Sequence, residues 1–101
     1  MKFAQIIDFE TERADEMRDL IRQYEEKARS EGRKLGPTHR TLLRDRSNPN
    51  RCLAVVEFDS YEEAMANSDA PETTELARQL AALSSRPPVF TDCDVVESES
   101  L

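Results

Sequence analysis

The chain has 101 residues, of which 35% are charged and 38% hydrophobic, with two glycines and no tryptophan. That is the length of one domain, residues 1–101, and it excludes a multidomain enzyme, a collagenous or low-complexity chain and a membrane span. The formal net charge of −7 repels phosphate backbones and anionic lipid, so neither nucleic acid nor a membrane is an expected partner.

Residues 2–9 carry Phe3, Ile6, Ile7 and Phe9 on both parities, which predicts a strand covered on both faces. Residues 11–31 lack Gly and Pro. Ala14, Met17, Ile21, Tyr24 and Ala28 recur at steps of three and four, the apolar stripe of a helix. Thr11 is the expected cap, and Gly32 the stop.

Beyond Gly36-Pro37 the period changes to two. Residues 38–46 and 51–59 flank Ser47-Asn48-Pro49-Asn50, so a β-hairpin with a four-residue loop is predicted. With that loop Arg46 opposes Arg51, Leu42 opposes Val55 and Arg40 opposes Glu57. His39, Thr41 and Leu43 then share a face with Phe58, Val56 and Ala54. A slip of one residue would exchange the faces.

Ser60-Tyr61-Glu62-Glu63 has the spacing of a capping box. Pro71 is tolerated in a first helical turn but not in a helix interior, so two helices are expected, at 61–68 and 71–84. Arg86-Pro87-Pro88 ends the second, and residues 88–96 read as a last strand. The order βαββαβ fits an α+β, ferredoxin-like, four-stranded antiparallel sheet with strand order 4-1-3-2 and helices on one face. The other face is not uniformly polar in strands 1, 3 and 4. An apolar sheet face needs a cover, and a second copy across a two-fold axis is the economical one.

The stretch from Leu42-Leu43-Arg44-Asp45 through Val55-Val56-Glu57-Phe58-Asp59-Ser60-Tyr61, with Pro71-Glu72-Thr73 and Arg86-Pro87-Pro88-Val89-Phe90, resembles small actinobacterial proteins of the antibiotic biosynthesis monooxygenase type. The resemblance runs over nearly the whole chain. It implies a dimeric α+β barrel with one pocket per subunit between helices and sheet. It also implies a cofactor-independent monooxygenase acting on a small aromatic or enolic substrate, or a non-catalytic homodimeric module that binds a small ligand. Haem-degrading relatives place an axial histidine on the second helical segment and a Trp nearby. This chain has no His between 60 and 85 and no Trp, so no cofactor is expected.

His39 is the one histidine, and near neutral pH an imidazole serves as a general base or as a structural hydrogen-bonding group. It is the candidate catalytic residue. Phe58, Tyr61 and Asn67 are the candidate substrate contacts; Tyr61 and Asn67 precede the helix break, where the alternative is plain packing and helix termination. Arg40, Arg44 and Arg46 alternate along an edge strand, where charge discourages further strand pairing. One His and two distant Cys make no zinc site, and no metal is expected. Cys52 and Cys93, two strands apart, are expected as free, buried thiols. The first apolar stretch ends at Asp8, too short for a signal peptide, so a cytoplasmic protein is expected.

Overall fold

The computed structural model describes residues 1–34 and 36–101. Its elements are β1 (Phe3–Glu10), α1 (Ala14–Ser30), β2 (His39–Arg44), β3 (Arg51–Phe58), α2 (Tyr61–Asp69), α3 (Pro71–Leu83) and β4 (Val89–Asp94). The four strands form one antiparallel sheet in the order β2-β3-β1-β4, the ferredoxin-like arrangement the sequence predicts. No helix among the described residues is long and apolar enough to cross a membrane.

Local chemistry sets most of the boundaries. Gly32 adopts φ +70°, and the Gly32 and Arg33 amides donate to Arg29 and Ala28, closing α1 with the left-handed glycine such a turn requires. Ser60 caps α2 by accepting a hydrogen bond from the Glu63 amide at 3.2 Å. Ala70 is extended between α2 and α3, and Pro71 opens α3, where its missing N–H costs no bond. Thr11, however, is not the cap of α1. It is 2% exposed and joins three segments. Its amide donates to the Asn50 carbonyl at 2.8 Å, and its hydroxyl donates to the Leu83 carbonyl at 2.7 Å while accepting from the Arg13 amide. The helix starts three residues later, after Arg13, with no side-chain cap.

The hairpin register differs from the expected one. His39 opposes Glu57, Arg40 opposes Val56, Leu42 opposes Ala54 and Arg44 opposes Cys52, a shift of one residue. The cause lies in the connection. Asp45 turns its carboxylate onto the Ser47 amide at 2.7 Å, Asn48 accepts from the Asn50 amide, and the Arg51 amide returns to the Asn48 carbonyl. These local bonds end β2 at Arg44 and turn the chain at Asp45, whose amide still donates to the Arg51 carbonyl at 3.0 Å. The faces exchange accordingly: His39, Thr41 and Leu43 share a face with Glu57, Val55 and Leu53, and Phe58 lies on the other.

The strand registers define both faces completely. Phe3, Gln5, Ile7 and Phe9 of β1 stand beside Phe58, Val56, Ala54 and Cys52 of β3 on the helix-covered side. The core there is two clusters rather than one. Phe3, Phe58 and Ala64 pack with Val56 and Met65. Phe9, Met17 and Cys52 pack with Ile7, Leu42, Ala54, Leu80 and Leu83. The opposite face carries Ala4, Ile6, Leu43, Leu53, Val55 and Val89, and no helix packs on it. The chain exposes 7174 Å², against about 5,800 Å² for a compact monomer of this mass.

Candidate ligand site on the helix-covered face

Between the two core clusters one row of the sheet holds three polar residues, with Val56 of the first cluster among them. Across the sheet it reads Asp92, Gln5, Val56, Arg40, each the register partner of the next. The rows on either side hold Phe3 with Phe58 and Ile7 with Ala54, with Asp94 at the edge of the first. Asp92 and Arg40 are exposed and Gln5 is half-buried, so the row stays in reach of solvent. Both of its ends are held. Gln5 Nε2 donates to Asp92 Oδ1 at 3.1 Å. Arg40 grips both oxygens of Glu25 on α1 at 3.2 and 3.0 Å, which neutralises it.

A second polar group lies where α1, α2 and α3 meet. The Tyr24 hydroxyl is 3.3 Å from Thr73 Oγ1, and Thr73 Oγ1 donates to Asn67 Oδ1 at 3.4 Å. Tyr24 belongs to the α1 stripe that buries Met17 and Ala28, so it points inward. The Arg33 guanidinium lies 5.7 Å above the Tyr24 ring. Gly36, with φ +87°, lets its backbone press on Asn67, where a Cβ would lie only 2.6 Å from Oδ1. The break between α2 and α3 thus sets Asn67 and Thr73 face to face.

Three of the four candidate residues fall on this side of the sheet. Phe58 is buried against Phe3 with ring centroids 6.1 Å apart, and Tyr61 sets its ring edge-on to Phe3 at 5.6 Å while remaining 52% exposed. Asn67 is half-buried in the Tyr24–Thr73 group. His39 is elsewhere. It is exposed and opposite Glu57 on the uncovered face, so the one-residue register shift separates it from Phe58 by the thickness of the sheet. Sequence reading missed Gln5, Asp92, Tyr24 and Thr73. Gln5 carried a signal, being the one polar residue at a parity otherwise filled by Phe3, Ile7 and Phe9.

Cys52 and Cys93 are free. They occupy opposite faces, since Cys52 pairs with Phe9 and Cys93 with Ala4. Cys52 is buried and its thiol is pushed up by that burial, against the pull of Arg44 and Arg18, which makes it a poor nucleophile. Cys93 is half-buried rather than buried as expected, because its face has no cover. Two open depressions lie away from the row. One of 420 Å³ runs between α1 and α3 along Leu20, Gln23, Gln79 and Leu83, and one of 560 Å³ adjoins Arg44 and Pro49.

No protein-family model matches the chain, and no curated protein does. Solved structures do match. SnoaB, a cofactor-independent oxygenase from Streptomyces nogalater, superposes with a TM-score of 0.76 at 18% identity over 96% of this chain and 95% of that one. The chain has the fold of the antibiotic biosynthesis monooxygenases. A further structure of an antibiotic biosynthesis monooxygenase superposes with a TM-score of 0.69 at 20% identity, covering 96% and 100%. A protein of Mycobacterium tuberculosis does so with 0.73 at 17% identity, covering 99% and 100%. At these identities the monooxygenase likeness is one of fold.

Proposed function

We propose that the chain is a cofactor-independent oxygenase of a small aromatic or enolic substrate, bound between helices and sheet. The observation that carries this is the polar row Asp92–Gln5–Val56–Arg40, set between two apolar clusters in a fold shared with a cofactor-independent oxygenase. Phe58 and Tyr61 would line the aromatic end, and Asn67 would orient an oxygen of the substrate. An electron-rich ring methylene such as that of an anthrone loses a proton, and the resulting carbanion passes one electron to dioxygen. The radical pair joins as a peroxide, and loss of water leaves a carbonyl. The protein's part is a dry pocket and hydrogen bonds to the developing oxyanion. His39, on the far face, is not placed to take that proton within one subunit.

The assembly in this reading is a homodimer. Two copies pack through Ile6, Leu43, Leu53 and Val55 and close a dimeric α+β barrel, burying the surface that a lone subunit leaves wet. Reduced thiols at Cys52 and Cys93 suit a cytoplasmic protein.

Oxygen consumption with anthrones and quinols tests the oxygenase. Asn67→Ala and Tyr61→Phe are expected to slow turnover, while His39→Ala leaves it within a factor of about two, because no reacting group touches it. Absence of turnover above buffer removes the enzyme for those substrates. The second reading, a non-catalytic homodimeric small-ligand-binding or stress-related module, is favoured by His39 lying outside the pocket. Ligand-induced thermal stabilisation without product is its signature.

A further inference from the structure

We infer that Asp92, oriented by Gln5, determines specificity at this site by rejecting ligands that bear a carboxylate and accepting uncharged, hydroxylated aromatic ones. The inference rests on the proposed ligand site and names what that site selects.

Three observations carry it. The first is placement. Asp92 is exposed on the helix-facing side of β4, in the polar row, and Phe90, two residues away on the same side, is 54% exposed. The strand rise sets those side chains about 7 Å apart. A bicyclic ring stacked on Phe90 therefore brings a hydroxyl substituent within reach of the carboxylate.

The second is valence. A carboxylate offers about four acceptor positions and no donor. Gln5 takes one of them, at Oδ1, and that bond fixes the direction of the other oxygen. The free oxygen accepts from a phenol or enol and repels a second carboxylate.

The third is the charge around the row. Its one cation, Arg40, is held bidentately by Glu25. Asp94, on the same face beside Phe3, adds a second acid. Arg44 is a further cation on this side, but it pairs with Cys52 at the far end of β2, beyond Leu42, where Arg18 also acts, and Arg33 lies over the Tyr24 ring. Among the described residues Asp92 forms no ion pair; its side-chain bond is the one from Gln5, and the whole chain carries −7. Two unit charges about 5 Å apart, part-shielded from water by the bound ring, repel enough to change affinity by roughly tenfold.

The test is binding of 1-naphthol and 1-naphthoate, which share a ring system and differ in charge, by fluorescence titration of the full chain. Wild-type protein is expected to prefer naphthol by about tenfold or more. Asp92→Asn keeps an oxygen for Gln5 and is expected to reduce that preference about tenfold by admitting naphthoate. Glu97→Gln, in the C-terminal tail, changes the net charge equally and is expected to leave the preference intact. Equal affinity for both probes in the wild type, or a preference unchanged in Asp92→Asn, overturns the inference and leaves the pocket standing. No saturable binding of either probe overturns the pocket, and the inference with it.

Discussion

Gly36→Ala is the sharpest probe of how the site is held, because Gly32→Ala supplies its control. Both glycines have positive φ, +70° at Gly32 and +87° at Gly36, so an alanine at either pays the left-handed penalty of about 1–2 kcal/mol. They differ in surroundings. A Cβ on Gly32 meets nothing within 4 Å. A Cβ on Gly36 meets Asn67 at Oδ1, Cγ and Cβ, at 2.6, 3.0 and 3.1 Å. Rotating the amide relieves the first contact only, so Asn67 must move bodily and its bond with Thr73 is lost. A neutral side-chain hydrogen bond and the strain together add about 1–2 kcal/mol. Gly36→Ala should therefore cost about 2–4 kcal/mol and Gly32→Ala about 1–2 kcal/mol. In a domain of this length each kcal/mol lowers Tm by about 4–8 °C. Urea titrations at matched protein concentration measure the gap. Equal losses in the two variants would refute the claim that Gly36 is there for Asn67. A normal naphthol affinity in Gly36→Ala would refute the claim that Asn67 belongs to the site.

Three other perturbations read different parts of the molecule. Thr11→Val removes a buried hydroxyl that bonds Leu83 and Arg13, and should cost about 1–3 kcal/mol in denaturant titrations; a neutral substitution would show that the junction is not held there. Arg51 and Arg86 hold the Asp8 carboxyl below the usual range, and the Ser47 amide with Arg51 does the same for Asp45. A lowered native pKa gives stability that is complete above the unfolded value near 4 and is lost as pH falls through the native one, so Asp8→Asn should flatten the acid limb below about pH 4; an unchanged limb contradicts the network. Val55→Asp puts a charge between Ile6 and Thr41 at the centre of the uncovered face and should weaken self-association at least about a hundredfold in sedimentation. A dimer untouched by Val55→Asp would move the interface elsewhere.

Element order was legible because its signals are local. Pro71, Gly32 and the Ser60–Glu63 spacing each act within a few residues of where they stand. Topology followed from order. The register of β2 on β3 was not legible from loop length, although the turn had left a trace: Asp45 and Ser47, and again Asn48 and Asn50, stand at the two-residue spacing of side-chain-to-backbone turns, the bonds that turn the chain from Asp45 onward. That single residue decides which face His39 occupies. Among the site residues, Phe58 and Tyr61 were visible as aromatics at strand end and helix start. Asp92 was invisible, because its meaning depends on a partner 87 residues away, brought beside it by the β1–β4 pairing. Tyr24 and Thr73 looked like stripe and helix-start residues, and only the crossing of α1 over α3 makes them one group.

The divided core carries its own prediction. A sheet face this small would be more stable if one apolar cluster ran its whole length, and a single residue, Gln5, stands between Phe3 and Ile7 on the central strand β1. Gln5→Leu would join the clusters. Half-burying a leucine there gains about 1 kcal/mol, and the exposed bond to Asp92 that is lost offsets about half of that. The variant should therefore be more stable than wild type by about 0.5–1 kcal/mol in urea, yet lose naphthol affinity, because the leucine fills the row and Asp92 is no longer oriented. Stability gained together with binding lost is the mark of a residue kept for a ligand. If Gln5→Leu binds naphthol as before, the row is only a gap in the packing, and the place for a ligand must be sought between α1 and α3.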